Sequence, residues 1–353
     1  MNELYKNDLN SFLEFYEANH ICPYYFCAKD EIKKFIKTYF AQNLIKCDDD
    51  FVYFFRSMLK KLVGDLDSHT IIRTRNEYDH WPLKLEVDIK SEKVFVTAAN
   101  KNLRNYVGRE VAKINGVEVG DLLKEAERAI SYSTNGWYKA ESGRFLSSKS
   151  ALRSLPSIRS DIDKVIYAFA DGETLEASDE AYQQTKPQNY SFKIDNNSLV
   201  LYFTACSEDY PNQVHNVVEQ LQEKVLENNI EKFVLDLSGN MGGNDLIIKP
   251  LIEWLNSAKL EKYVKVDRYV QSAGLFAIND MCKIGAKVIG SEIGSGMNHI
   301  GNNLRHELPS GRFLTIVATR YFYLDDDNNY CVTRTREEFQ KLDSRYVCSN
   351  CIL

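Results

Sequence analysis

VLDLSGNMGGND, residues 234–245, decides the fold. Within KFVLDL the chain is almost continuously apolar, as in a strand covered on both faces, and it then breaks into a glycine loop and enters the helical pattern DLIIKPLIEWLNS. Reading outward in both directions, the same alternation continues. SFKIDNNSLVLYFTA predicts a hairpin turning at Asn196-Asn197, and a helix follows from about Pro211 to Asn228. After the glycine loop come a strand in YVKVDRYV, a helix in AGLFAINDMCKIG and a strand in AKVIG. Strands alternating with helices imply a largely parallel sheet, so the fold class is α/β over residues 186–353.

The remaining chain has other periods. Residues 2–64 read as helices: Ile32, Phe35, Ile36, Tyr39, Phe40 and Leu44 form one stripe, and FVYFFRSMLKKLVGDL repeats it up to Gly64. The aromatic residues of these stripes are core packing. Residues 1–68 are therefore a helical N-terminal region. From 69 to 185 the chain is β-rich, with strands at Thr70–Arg75, Leu83–Ile89 and Lys93–Ala98 and a turn at Asn115-Gly116. SSKSALRSLPS reads as a loop over the next domain.

The 353 residues carry a net charge of −6, with no basic excess for nucleic acid and no polybasic cluster for an anionic membrane. The N-terminal stretch lacks the basic and apolar regions of a secretory signal, and no run approaches 18 apolar residues. A cytoplasmic protein with reduced thiols is expected from the eight cysteines. Cys22, Cys27 and His20 with the terminal Cys348-x-x-Cys351 offer a loose zinc pattern, but the spacing favours no metal.

Three places carry chemistry. The glycines of 239–243 free backbone N–H groups for an anionic oxygen, or simply turn a strand into a helix. Ser272, in VQSAGLFAINDMC, stands between strand and helix, where a serine is either an N-cap or a nucleophile with an oxyanion hole nearby. His69, in GDLDSHTIIR, lies where the helices end and a strand begins.

Together these stretches resemble the S41 peptidases, the family of C-terminal processing and tricorn-core-like proteases. VLDLSGNMGGND resembles the family's strand-and-glycine motif, with Ser238 in place of the usual Arg. VDRYVQSAGLFAIND is similar to the nucleophile segment, VIGSEIGSGMNHIGN to the segment after it, LDSHT to the histidine segment of the tricorn-like branch, and VGREVAKINGVEV to a PDZ-like hallmark. The lysine of the processing-protease branch is replaced by Gly296, which leaves the Ser–His branch. The resemblance implies a ClpP/crotonase-like core preceded by a PDZ-like domain, and a cofactor-free serine peptidase acting on peptides or unfolded protein. It implies Ser272 as nucleophile, His69 as base and an oxyanion hole from Gly242 and Ala273. It also implies an acid reached through Ser68, for which the run Asp325-Asp326-Asp327 offers Asp327. Homo-oligomerisation stays open. So do two rivals: a non-catalytic binding protein on the same fold and a crotonase-type acyl-CoA enzyme.

Overall fold

The computed structural model describes residues 3–42, 44–74, 80–88, 90–158, 162–178, 188–210 and 213–347. It begins with helices α1 (Glu3–Asn19), α2 (Lys29–Ala41) and α3 (Asp48–Val63). Asp48, Asp49 and Asp50 occupy the first turn of α3 and Lys60 and Lys61 its last, so both ends complement the helix dipole. Phe51, Phe54, Phe55 and Met58 are fully buried in the cluster this helix shares with α1. Gly64 ends the helix at φ 58°, as the sequence pattern implies.

Strand β1 (Ile71–Thr74) follows, then β2 (Leu83–Val87), β3 (Val94–Ala99), β4 (Glu110–Ile114), β5 (Val117–Glu118), α4 (Val119–Glu127), α5 (Asn135–Ser147), α6 (Lys149–Ser154), β6 (Lys164–Phe169) and β7 (Thr174–Ser178). An antiparallel sheet runs β2-β3-β4-β6-β7, with β5 on β4. Asn115 and Gly116 both have positive φ, which suits the two-residue turn between β4 and β5. The expected loop SSKSALRSLPS is largely helical: α5 reaches into it, and α6 follows after Ser148, whose hydroxyl caps it. The capping serines and buried Ala151 and Leu152 outweigh the loop-like composition.

The third part holds β8 (Tyr190–Asp195), β9 (Ser198–Phe203), α7 (Val214–Glu227), β10 (Lys232–Asp236), α8 (Lys249–Ser257), β11 (Glu261–Val266), α9 (Ala273–Lys283) and β12 (Lys287–Gly290). Its sheet order is β12-β11-β10-β9-β8. The strands β9 to β12 are parallel, and β8 is joined antiparallel through the turn at Asn196-Asn197. Leu201, Leu235, Val264 and Leu275 sit at the centre of its core. Pro211, where α7 was expected to start, lies outside the described residues, as do Arg75 and Ile89 of the expected strands and the cysteines 348 and 351.

The chain ends in β13 (His299–Glu307), β14 (Phe313–Leu324), β15 (Tyr330–Thr333) and the short α10 (Arg336–Gln340). Here the structure departs from the three-part reading. The strand after His69 does not join the middle sheet; β1 pairs antiparallel with β14, Ile71 opposite Ile316, in a separate sheet β1-β14-β13 with β15 on β14. Ile72, Phe313 and Val317 from this sheet are buried with the N-terminal helices. Among the described residues no helix is long and apolar enough to cross a membrane.

Candidate active site

Ser272 sits in the turn that carries the chain from β11 into α9. Its backbone has φ 53° and ψ −123°, a conformation that costs a non-glycine residue on the order of 1–3 kcal/mol and is tolerated where surrounding structure enforces it. The hydroxyl makes no capping hydrogen bond to α9, so the N-cap reading of this serine does not hold. The turn is pinned from the glycine loop, where Gln271 N–H donates to the Asn240 carbonyl at 3.1 Å, and from α9, where Leu275 N–H donates to the Ser272 carbonyl at 2.8 Å.

Asn240 organises the facing loop. It is fully buried, its Nδ2 donates to the Phe203 carbonyl at 2.8 Å, and its Oδ1 accepts from Gly242 N–H at 2.8 Å. This corrects one expectation: the Gly242 N–H is spent inside the loop and does not face an oxyanion. Gly242 matters as space instead. A Cβ there would stand 2.6 Å from Ser272 Cβ and 2.9 Å from Ala273 N. The neighbouring Gly243, at φ 138°, is bridged to Cys206 and lines the same cavity as Ser272. Among the described residues no acceptor is paired with Gly243 N–H or with Ala273 N–H, the latter at the first turn of α9, where no intrahelical partner exists. These are two donors beside one strained serine.

His69 reaches the cavity from the other side, in the loop before β1. The cavity measures about 570 Å³, and its lining includes Ser68, His69, Gln271, Ser272, Met241 and Gly243. The His69 ring lies nearly parallel to that of His299, centroids 5.7 Å apart, and His299 stacks in turn on Phe322 at 5.5 Å. His299 Nδ1–H donates to the Met297 carbonyl at 3.0 Å. Both His69 nitrogens are shielded from water, and among the described residues neither completes a well-aligned hydrogen bond, although the Ile300 carbonyl faces the ring. Burial pushes the His69 pKa below its ordinary value, against the pull of the Asp67 charge and of that carbonyl. Burial likewise pushes His299 down to about 3. Both rings are neutral at pH 7, the state in which an imidazole accepts a proton.

Ser68 and Asp327 behave differently from the expectation. Ser68 Oγ accepts from Gln271 Nε2 at 3.3 Å, and that same amide donates to the Gly294 carbonyl at 3.2 Å. The serine thus ties the His69 loop to the Ser272 turn; it does not lead to an acid. Asp327 lies in the exposed hairpin turn between β14 and β15, its N–H bonded to Asp325 Oδ1 at 3.0 Å, and does not line the cavity. Turn chemistry in DDDNN, with Asn328 at φ 58°, accounts for the run. The roles of Asn240, Gln271 and Gly243 were missed. The glycine doublet was the only hint of the last, and nothing local marks the first two.

Among solved structures, mature CPAF superposes with a TM-score of 0.60 at 10% identity, over 95% of this chain and 93% of that one. Mature CPAF complexed with lactacystin gives 0.59 at 11% identity, over 93% and 92%. A photosystem II D1 C-terminal processing protease aligns over 100% and 91% at 11% identity with a TM-score of 0.46. The chain has an S41 peptidase fold. No family model and no curated protein matches the sequence. A likeness at 10% identity is one of architecture, so any role assigned to Ser272 and His69 has to rest on this chain's own geometry.

Proposed function

We propose that the chain is a serine peptidase acting on peptides or unfolded protein, with Ser272 as nucleophile and His69 as base. The observation that carries this is the meeting, in one cavity, of a strained and uncapped serine, a shielded neutral histidine and Gly243, whose N–H, like that of Ala273 next to the serine, has no acceptor among the described residues. The parallel sheet with α7–α9 is read as the ClpP/crotonase-like core and the β2–β7 sheet as the PDZ-like part.

In this reading Ser272 Oγ bonds to the scissile carbonyl carbon while its proton passes to the His69 ring. The carbonyl oxygen becomes an oxyanion and takes hydrogen bonds from Ala273 N–H and Gly243 N–H. The C–N bond then breaks, the imidazolium returns the proton to the leaving amine, and an acyl-enzyme remains. Water, deprotonated by the same ring, releases it and restores Ser272. Because burial depresses the His69 pKa, the base stays neutral to lower pH than an ordinary histidine.

A fluorophosphonate probe tests the reading. The wild type is expected to label at one serine and to cleave an unfolded protein, and Ser272→Ala to lose both. Labelling that survives Ser272→Ala would refute the assignment. A folded wild type that neither labels nor cleaves would favour the non-catalytic rival, which the lack, among the described residues, of a bonded partner on the His69 ring supports.

A further inference from the structure

The proposed reaction calls for a negative charge near His69, and Asp327 is not there. Asp67, two residues before His69, is. It is 1% exposed, and its carboxylate accepts four hydrogen bonds. Oδ1 takes the backbone N–H of His69 at 2.7 Å and of Thr70 at 2.9 Å; Oδ2 takes Thr70 Oγ1 at 2.5 Å and His20 Nε2 at 3.0 Å.

The proton positions follow from the second partner of each donor. His20 Nδ1 accepts Cys22 N–H at 3.2 Å, so the ring proton facing Asp67 sits on Nε2 and Nδ1 carries none. Thr70 Oγ1 accepts Ala318 N–H at 3.1 Å, so its own proton points to Asp67. The carboxylate is therefore solvated by four dipoles, and among the described residues no Lys or Arg is bonded to it. Burial opposes its ionisation, but the bonds from His20 and Thr70 hold its pKa below the ordinary carboxylate value. A buried anion of this kind acts over several ångströms because little water screens it.

We propose that Asp67 is the acidic positioning residue for His69: it clamps the backbone of the base's loop and holds an uncancelled negative charge beside the ring, while His20, at the end of α1, fixes the carboxylate. The arrangement differs from a triad in which the acid bonds to the ring itself. The charge steadies the imidazolium formed when Ser272 gives up its proton, so the inference rests on the Ser–His reading above. The other titratable group against the ring is His299 from β13. Across the cavity the charged or titratable groups are Arg56 on α3, Arg73 on β1, Glu141 and Arg144 on α5, and His80.

The test combines fluorophosphonate labelling rates across pH with an NMR titration of the His69 ring in the full chain. Asp67→Asn keeps an oxygen for the two backbone N–H groups and removes the charge. It is expected to lower the His69 midpoint by about one pH unit and the limiting labelling rate by roughly tenfold or more. His20→Ala removes one of the four donors and concentrates the charge, so it is expected to raise the midpoint; it also decides the matter if Asp67→Asn does not fold. A purely structural role would move neither midpoint, and two unmoved midpoints in folded variants would overturn the proposal. Shifted midpoints in a protein that never labels would count against the Ser–His reaction and leave the coupling of Asp67 to His69 standing.

Discussion

The loop that carries Ser272 is shaped by backbone, and the loop that carries His69 by side chains. Around Ser272 the decisive features are a positive φ, a glycine without room for a Cβ and two N–H groups unpaired among the described residues, with the side chains of Asn240 and Gln271 as ties. Around His69 they are a carboxylate, an imidazole, a hydroxyl and a second imidazole, brought from the end of α1, the loop itself and β13. A backbone-built loop fails sharply when one atom is added. A side-chain-built loop fails by degrees, one partner at a time. That difference can be broken or sharpened by experiment.

The largest effect is expected at Gly243. A Cβ there would lie 2.1 Å from the Cys206 carbonyl oxygen, and φ 138° is unsuited to alanine. Gly243→Ala is expected to lower the fluorophosphonate labelling rate about 10²–10³-fold, the effect of losing one oxyanion donor. A rate within threefold of wild type, in a folded variant, would show that the loop is not the rigid device described.

A moderate effect is expected from pH on stability. His299, buried and pushed down to about 3, stays neutral in the folded protein while the unfolded chain takes up its proton near pH 6.5. The unfolded state then binds more protons, so stability falls with pH below about 6.5 and goes on falling toward the folded value. The slope is up to about 1.4 kcal/mol per pH unit from this group. Denaturant unfolding of His299→Phe beside wild type, at pH 7 and pH 5, checks it. The variant is expected to lose less stability on acidification, and equal losses would contradict the assignment.

The smallest effect is expected at Asp327. Asp327→Asn changes an exposed turn and is expected to leave the labelling rate within about twofold. A tenfold fall would return the acidic run to the site and remove the contrast between the two loops.

Legibility in the sequence follows the same divide. The helices up to Gly64, the β8–β9 hairpin and the parallel run of β9 to β12 are written in local periodicity and turn residues, and so is the glycine loop. The pairing of β1 with β14 is not, because Ile71 and Ile316 are 245 positions apart and either sheet would have suited the strand's pattern. Asp67 was readable as an Asx-type turn before Thr70, but its meeting with His20 depends on where α1 ends in space. Asp327 was misplaced because an acidic residue near an expected position and an acidic turn look alike without coordinates.

The pairing of β1 with β14 also sets when the machinery can exist. A chain emerging from the ribosome presents His69 early and Ser272 much later, yet the strand after His69 has no partner until residues 313–316 are made, and Thr70 lacks its backbone donor until Ala318 follows. In the proposed reading, nascent chains that already display Ser272 are therefore without a seated base, and cutting power arrives only once residue 318 has been made.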